Sequence, residues 1–260
     1  MGGKIGFIGA GNMASALAAA FSSVADEISV SDKSAEKLEH LRGKVEVLVS
    51  QSNVSVVQES EIVFICVKPK DVASVLDEIK DHVAGTLIVS IAAGVTLKTL
   101  ESVLDCSVIR VMPNTPCLVG EMAAGYALGS KVTKKEAQQI DELLNVAGVA
   151  VKVNEKDIDV VSALSGSGPA FMAYLFKTFV KAATKQGLSS ELAWKLMLQT
   201  ARGTAIQMQK TGMSADDLIT MVSSPGGSTI EGRKVLEKSG LEKVFSSTLD
   251  AAVKKNKKLG

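Results

Sequence analysis

The sequence predicts an α/β domain with a mostly parallel sheet, followed by an all-α domain. Short apolar runs alternate with helical periods up to about residue 155, as in a parallel sheet joined by crossover helices. From Asp157 onward we find only helical periods. A glycine-rich turn joins the first predicted strand to the first helix, which is typical of a Rossmann-type fold. We therefore predict two domains, at 1–155 and 156–260.

The glycine-rich turn lies within the N-terminal stretch KIGFIGAGNMASALAAA. Gly9 permits the tight turn, Gly11 has no side chain to keep a pyrophosphate from the backbone, and Ala14 lets helix and strand pack closely. The helix predicted from Asn12 or Met13 would direct its free N–H groups and its positive dipole end toward phosphates. This order of strand, glycines and helix favours nucleotide binding over an ordinary strand-to-helix turn.

The residues after the second predicted strand leave the choice of cofactor open. Asp32 lies about 20 residues after the glycines, where an acidic side chain would hold a ribose 2′-hydroxyl and favour NAD. Ser31, Lys33 and Ser34 surround it and could equally hold the 2′-phosphate of NADP. A purely structural alternative is that Asp32 or Ser34 caps the helix predicted at Ala35–Leu41.

Two further strands are predicted to end at the same edge of the sheet. The continuous apolar run Ile62–Val67, typical of a parallel strand buried on both faces, leads into Lys68 and Pro69. The run Leu87–Ile91 leads into Ala92-Ala93-Gly94, whose small side chains would let a flat ring approach. Ligands bind outside the carboxyl ends of such strands, so these residues are candidate cofactor contacts, although ordinary turn chemistry would also explain them.

The remaining elements complete the α/β domain. A rigid Pro-Asn-Thr-Pro loop follows Val108–Met112, and a capping box of Thr133 and Glu136 opens a helix that reaches about Val146. Pro69 suits the first turn of another helix. The other predicted elements are strands at Glu27–Ser31, Val45–Val49, Gly125–Leu128 and Ala150–Val153, and helices at Asn53–Ser60 and from Pro69 to Ile79.

The second half is predicted to be an all-α dimerisation domain. Its helices are predicted at Pro169–Gln186, Ser190–Lys210, Leu241–Lys257 and, as a short helix capped by Ser214, up to Val222. Apolar residues occur on more than one face of these helices, so the helices must be buried on several sides. Three or four helices rarely supply that burial alone, and we therefore expect an interface with another subunit.

Two glycine-rich segments interrupt the helical half, LSGSGPA at 164–170 and SSPGGSTIE at 223–231. The second opens a helix whose N-terminal N–H groups suit a small carboxylate. Ser228 and Glu231 also fit a capping box. A simple cap needs neither the preceding Pro-Gly-Gly nor the Thr that follows Ser228, so we favour a binding role.

The composition argues against several classes of protein. A net charge of +1 argues against binding nucleic acid through bulk charge. No apolar run approaches the ~20 residues of a membrane span. The three cysteines are odd in number and lack metal-like spacing, so we expect reduced thiols, no metal site and a cytoplasmic location.

Six motifs occur in the order seen in pyrroline-5-carboxylate reductases, and the chain resembles this family along essentially its whole length. They are GAGNMA, VKPK, SIAAGVT, VMPNTP, LSGSGPA and VSSPGGSTIEG. The resemblance implies reduction of 1-pyrroline-5-carboxylate to L-proline by NAD(P)H, the final step of proline biosynthesis. It also implies an intertwined homodimer, often assembled as a pentamer of dimers, that is, a homodecamer. NADP(H) is favoured, but Asp32 is not usual beside a 2′-phosphate, which keeps NAD(H) as an alternative.

The resemblance assigns residues to a cofactor site and a substrate site. The cofactor contacts are Gly9, Ala10, Gly11, Asn12, Met13, Ser31, Asp32, Lys33, Asn53, Val67, Lys68, Pro69, Ala92, Ala93 and Gly94. The substrate contacts are Gly227, Ser228 and Thr229, with Met112, Asn114 and Glu155 as further candidates.

Thr229 is the candidate catalytic residue, as a donor to the ring nitrogen. The imine carbon accepts a hydride only when that nitrogen is protonated or strongly hydrogen-bonded, and neither His40 nor His82 lies in a motif. One alternative, a β-hydroxyacid dehydrogenase, would need a lysine four residues after Gly168, where Met172 stands. A second alternative, a non-catalytic nucleotide-sensing protein, would not need the Pro-Gly-Gly-Ser-Thr turn.

Overall fold

The computed structural model describes residues 3–258 as two compact units. The first unit runs to Pro169 and includes the chain again from Ala251. In that returning segment the side-chain amide of Asn256 donates a hydrogen bond to the carbonyl oxygen of Asp159 at 3.0 Å. The second unit is Ala170–Asp250. The boundary expected after residue 155 stays a prediction, and its outer ends, residues 1–2 and 259–260, lie outside the described residues.

The first unit contains an eight-stranded sheet. Its strands are β1 (Lys4–Ile8), β2 (Glu27–Ser31), β3 (Leu48–Val49), β4 (Ile62–Ile65), β5 (Leu87–Ser90), β6 (Val108–Met112), β7 (Met122–Leu128) and β8 (Gly148–Lys152). They lie in the order β3-β2-β1-β4-β5-β6-β7-β8, and every neighbouring pair is parallel except β6 and β7. The predicted mostly parallel sheet is confirmed. After β3 the chain returns to the far side of β1, so the topological switch point lies between β1 and β4.

Residues 3–258 contain twelve α-helices, and those with predicted bounds begin and end close to them. They are α1 (Asn12–Phe21), α2 (Ala35–Arg42), α3 (Asn53–Glu59), α4 (Pro69–Ile79), α5 (Leu97–Glu101), α6 (Lys134–Val146), α7 (Ile158–Val161), α8 (Gly168–Lys185), α9 (Ser190–Thr211), α10 (Ala215–Met221), α11 (Ser228–Lys238) and α12 (Leu241–Asn256). The predicted capping box of Thr133 and Glu136 opens α6. Across residues 3–258, no strand follows β8, and no helix is both long and apolar enough to cross a lipid bilayer.

The sheet is buried between two helical layers, because alternate residues of its central strands point to opposite faces. Phe7 and Phe64 pack in the cluster that includes α1, α2 and α6, whereas Ile8 and Ile65 pack in the cluster that includes α3, α4 and α5. The ring centroid of Phe64 lies 5.3 Å from that of Phe7 and 5.4 Å from that of Phe21. This contact of three buried rings fixes β1, β4 and α1 against one another, and with them the turn between β1 and α1.

The third strand is shorter than the predicted Val45–Val49. The end of α2 continues into a turn in which the N–H groups of Lys44 and Val45 both donate to the carbonyl oxygen of Leu41, at 2.9 and 3.0 Å. Val45 is thereby buried in the core beside Leu41 instead of extending β3. Pairing with β2 is left to Leu48 and Val49.

Other differences concern the ends of elements. β4 and β5 end at Ile65 and Ser90, before their predicted ends, whereas β7 and β8 begin before theirs, at Met122 and Gly148. Pairing of β7 with β8 from Met122 onward accounts for the earlier starts. The helix α5 is absent from the prediction, because five residues are too few to show a helical period.

The second unit consists of α9, α10 and α11 with parts of α8 and α12. Within Ala170–Asp250, all of which the structure describes, Val180 and Ala193 are the only buried residues. Large apolar side chains lie at its surface, among them Tyr174 (71% exposed), Phe179 and Trp194. The helices predicted to be apolar on more than one face are therefore present, and a single chain leaves those faces largely uncovered.

We expect Phe64→Ala to lower the free energy of unfolding by about 3–5 kcal/mol, because it removes a buried ring and leaves a cavity between two others. The matched control Leu48→Ala removes a half-exposed side chain from β3 and should cost less than about 0.5 kcal/mol. Urea unfolding followed by circular dichroism measures both. Equal midpoints for the two variants would contradict the role given to the aromatic contact.

Candidate cofactor and substrate sites

The turn between β1 and α1 requires glycine at its first position. Gly9 has a φ of +102°, in the region that side chains other than glycine rarely adopt. A Cβ atom there would also lie 3.0 Å from the carbonyl carbon and oxygen of Cys66, at the end of β4. The N–H of Gly9 donates to the carbonyl oxygen of Ser31 at 2.7 Å. Gly9 is therefore needed for the fold itself.

The fold itself does not require glycine at the second glycine position of the turn, Gly11. Gly11 precedes α1 with φ −74° and ψ 179°, which any residue can adopt, and a Cβ atom there would have no atom within 4 Å. No acidic side chain lies in the first turn of α1. The space above Gly11 is thus open beside a helix N-terminus, which is the room that the predicted pyrophosphate contact needs.

Helix capping divides the helices into two groups. Ser or Thr side chains cap α2, α3, α5, α6, α9 and α10. Among the described residues, no side chain caps α1, α4 or α11, which follow Gly11, Lys68 and Gly227. The short helix α7 also lacks a side-chain cap, but it continues directly from a 3₁₀ turn at Glu155–Asp157. An uncapped N-terminus presents unsatisfied N–H groups and partial positive charge. All three open ends lie in segments in which the sequence predicts ligand contacts.

Asp32, predicted to contact the ribose or to cap a helix, makes two hydrogen bonds to backbone N–H groups. Its Oδ2 accepts from Ala10 at 2.8 Å, and its Oδ1 accepts from Ser34 at 2.8 Å. The residue that caps α2 is Ser34, whose Oγ accepts from the N–H of Lys37 at 3.4 Å. Lys33 points into solvent.

Ser31 and Asn53, two predicted cofactor contacts from separate segments, lie in direct contact. The hydroxyl of Ser31 donates to Oδ1 of Asn53 at 2.7 Å, and Nδ2 of Asn53 donates to Glu78 at 2.8 Å. Ser31 ends β2 and Asn53 begins α3. The sequence gives no signal for Glu78, which joins this group only because α3 and α4 are neighbours.

The ends of β4 and β5 lie side by side, because Ile65 pairs with Ser90. After β4, Val67 is half-buried and Lys68 is exposed directly before Pro69, the first residue of α4. After β5 comes the segment Ala92–Gly94, in which Ala92 is buried and Gly94 turns the chain with a φ of +81°. These predicted cofactor contacts therefore share the carboxyl edge of the sheet with the glycine turn.

Of the three further substrate candidates, Asn114 and Glu155 already have partners in the fold. Asn114 is buried, its Nδ2 donates to the carbonyl oxygen of Ser165 at 3.1 Å, and its Oδ1 accepts from the N–H of Ala123 at 2.9 Å. Glu155 accepts from the N–H of Leu97, which begins α5, at 2.5 Å. The roles of both residues toward a substrate stay predictions.

The third candidate, Met112, is half-buried at the end of β6 and packs its methyl group toward Gly166. A Cβ atom at Gly166 would lie 3.1 Å from that methyl carbon. Gly166 belongs to a π-helical turn at Ser162–Gly166, so the segment LSGSGPA lies within this turn and the start of α8. π-helical turns inside helices often occur at functional sites.

Sequence reasoning missed Arg110, which is buried in β6. Its guanidinium lies 3.4 Å from Glu155 and 3.6 Å from Asp159, so two carboxylates compensate the buried charge. Through Glu155 the group also reaches the first turn of α5. The sequence did contain a signal for this ion pair, because Arg110 is the single charged residue in the apolar strand VIRVM and a buried charge needs a partner.

Two glycines shape the turn before α11. Gly226 has a φ of +72°, and a Cβ atom at Gly227 would lie 2.7 Å from Oγ and 3.0 Å from the carbonyl oxygen of Ser224, so both positions favour glycine. The alternative capping box is absent: Gly227 is the cap residue, and Glu231 pairs with Lys234 at 2.7 Å. Ser228 and Thr229 are exposed at the open end of α11.

The described residues contain no group of three or more His, Cys, Asp or Glu side chains that could hold a metal ion. Cys117, in the loop after β6, is buried, and burial raises the pKa of its thiol to about 11. A thiol with this pKa stays protonated at neutral pH and is a poor nucleophile. Cys117 therefore acts as a small packing residue.

Two protein families match the chain. Residues 155–259 match the family described as pyrroline-5-carboxylate reductase dimerisation, and residues 4–94 match the family described as NADP oxidoreductase, coenzyme F420-dependent. The pyrroline-5-carboxylate reductase of Methanosarcina acetivorans is 38% identical, over 99% of this chain and 98% of its own.

Solved structures of the same kind are also similar. A pyrroline-5-carboxylate reductase from Coxiella burnetii is 34% identical, with a TM-score of 0.93 over 98% of each chain. The pyrroline carboxylate reductase of Plasmodium falciparum, solved with NADP bound, is 31% identical, with a TM-score of 0.88 over 99% of this chain and 98% of its own.

The two glycines of the first turn should respond differently to the same substitution. We expect Gly9→Ala to lower the free energy of unfolding by more than about 1 kcal/mol, because of its positive φ and the approach of Cys66. Gly11→Ala should change stability by less than about 0.5 kcal/mol. It should nevertheless weaken NADPH binding at least about tenfold, which corresponds to about 1.4 kcal/mol.

Urea unfolding and fluorescence titration with NADPH measure both effects. Unchanged NADPH affinity in Gly11→Ala would show that the open space beside α1 is not the cofactor site.

Proposed function

The chain belongs to the pyrroline-5-carboxylate reductase family. From this premise we propose which of its residues bind the cofactor, which bind the substrate and which residue is catalytic. It is an oxidoreductase that reduces 1-pyrroline-5-carboxylate to L-proline, the final step of proline biosynthesis, and it self-associates. The observation that carries the proposal is the uncapped start of α1 after Gly11, where the open space has no explanation within the fold.

We propose that the cofactor is NADP(H). The residues from Gly9 to Met13 would hold the pyrophosphate, and Ser31, Lys33 and Asn53 would lie around the adenosine ribose and its 2′-phosphate. The exposed cation of Lys33 and the NADP bound to the related Plasmodium reductase support this choice over NAD(H). When bound, the cofactor supplies the hydride that the imine carbon accepts.

The nicotinamide end would lie against the neighbouring ends of β4 and β5. Val67, Lys68 and Pro69 would line one side, and the segment Ala92–Gly94 would line the other. The small side chains of that segment leave room for a flat ring, and the parallel pairing of Ile65 with Ser90 supports a shared position at this edge.

The substrate would be held at the open N-terminus of α11. Backbone N–H groups from Gly227 to Thr229 would bind its carboxylate, since such a terminus attracts anions. The hydroxyl of Ser228 would add a further polar contact. Met112, Asn114 and Glu155 stay further proposed substrate contacts, and Asn114 and Glu155 would act mainly by fixing the backbone that they already bind.

Thr229 is the proposed catalytic residue. Its hydroxyl would donate a hydrogen bond to the ring nitrogen of the imine and withdraw electron density from the adjacent carbon. That carbon then accepts a hydride more readily, and the ring nitrogen takes up a proton from water, directly or through the Thr229 hydroxyl, as the amine forms. The protein's main contribution is to position and desolvate the reacting groups.

The assembly is proposed to be a homodimer formed through the helical domain predicted at 156–260, and five such dimers are proposed to form a decamer. The uncovered apolar side chains of the second unit, among them Tyr174 and Phe179, support burial by another copy. A cytoplasmic location is also proposed, supported by three cysteines that are all free thiols.

Initial rates of NADPH and NADH oxidation with 1-pyrroline-5-carboxylate, measured side by side, test the cofactor. We expect turnover with both and a higher kcat/KM with NADPH. A preference for NADH would contradict the phosphate-binding role of Lys33. Tight cofactor binding without turnover would instead favour a nucleotide-sensing protein.

We expect Thr229→Ala to lower kcat/KM for the imine on the order of 10²-fold, the effect of losing one positioned hydrogen-bond donor. Thr220→Ala makes the same change at an exposed position in α10 and is the matched control. Steady-state kinetics with saturating NADPH measures both variants. A decrease of less than about threefold for Thr229→Ala would remove this residue from the catalytic role.

A further inference from the structure

The carboxylate of Asp32 points into the protein and not toward solvent. Its side chain is 11% exposed, and each of its oxygens accepts a hydrogen bond from a backbone N–H group at 2.8 Å. The two N–H groups belong to Ala10, in the glycine turn, and to Ser34, at the start of α2. Hydrogen bonds to an ionised acceptor are stronger than those between neutral groups.

These bonds join the glycine turn to the loop after β2. The N–H of Gly9 already donates to the carbonyl oxygen of Ser31, so two successive N–H groups of the turn are held by two successive residues, Ser31 and Asp32. On the other side, the N–H of Cys66 donates to the carbonyl oxygen of Ile8 at 2.8 Å. The turn is therefore held from both neighbouring strands. Among the described residues, Asp32 is the only one whose side chain accepts a hydrogen bond from an N–H group of the turn.

We propose that Asp32 is a positioning residue that holds the cofactor-binding turn, and not a ligand of the adenosine ribose. Each of its oxygens already accepts a backbone N–H, and with the side chain only 11% exposed little of the carboxylate is accessible to a ribose. The cap of α2 is the side chain of Ser34, so Asp32 is not needed for that purpose. This inference rests on the proposed function, because it takes the glycine turn as the cofactor site.

The proposal also accounts for an acidic residue in a site proposed for NADP(H). The Nζ atom of Lys37 lies 3.6 Å from Oδ2 of Asp32 and offsets part of its charge, while Lys33 is exposed beside it. A carboxylate held inward between N–H groups and a cation repels a 2′-phosphate much less than one that points outward. Asp32 therefore does not select NADH.

Steady-state kinetics of Asp32→Ala with both cofactors tests the proposal. We expect KM for NADPH and KM for NADH to rise by similar factors, each on the order of tenfold, because the turn that both cofactors use loses its support. We expect kcat and KM for 1-pyrroline-5-carboxylate to stay within about twofold. Glu36→Ala is the matched control, since it removes an exposed carboxylate from the first turn of α2, close to Asp32 in the chain, and should leave all of these constants unchanged.

Three results would overturn the proposal. They are a rise in KM confined to NADH, as expected for a lost ribose contact; a fall in KM for NADPH, as expected for lost repulsion; and no change with either cofactor. Asp32→Asn keeps one acceptor oxygen, so we expect a smaller rise that is again equal for both cofactors. If Asp32→Ala does not fold, the comparison of the two cofactors is made with Asp32→Asn.

Hydrogen exchange of the free protein tests the same proposal without any ligand. Mass spectrometry should show faster exchange of the backbone amides of residues 9–13 in the Asp32 variants, but not in Glu36→Ala. Unchanged exchange in the Asp32 variants would contradict a positioning role. A wild-type protein that turns over neither cofactor would refute the proposed function, whereas the exchange result would still decide whether Asp32 holds the turn.

Discussion

The parallel alignment of β2, β1, β4 and β5 is the constraint on which the proposed cofactor site depends. Because these four strands run in one direction, their carboxyl ends lie at one edge of the sheet. Residues that are distant in the chain, such as Gly9, Asn53 and Ala92, therefore come to the same edge. The contact of Phe7, Phe64 and Phe21 maintains this alignment on one face of the sheet.

The N-termini of several helices are closed by a side chain, whereas those at the proposed binding segments are not. Helices whose N-termini only need to be closed carry a Ser or Thr cap, as α6 does with Thr133. Apart from the short α7, which continues from a 3₁₀ turn, the helices with an uncapped start are α1, α4 and α11, and these follow residues proposed to contact ligands. A cap at those positions would fill the space and use the N–H groups that an anionic ligand requires.

Local sequence patterns were sufficient for most elements, because each is encoded by its own residues. The apolar run at Ile62–Val67 and the capping box at Thr133 are examples. Side-chain contacts over long distances in the chain could not be predicted. The pairing of Arg110 with Glu155 and Asp159 depends on how β6 packs against later segments, and the inward orientation of Asp32 depends on a turn 22 residues earlier.

The scarcity of buried residues in Ala170–Asp250 has a thermodynamic consequence. A segment that buries only Val180 and Ala193 gains little hydrophobic stabilisation within one chain. Most of the free energy that keeps these helices folded must then come from association, so it depends on the amount of protein present. Dilution would therefore favour unfolding of this half of the chain, and the melting temperature would rise with protein concentration.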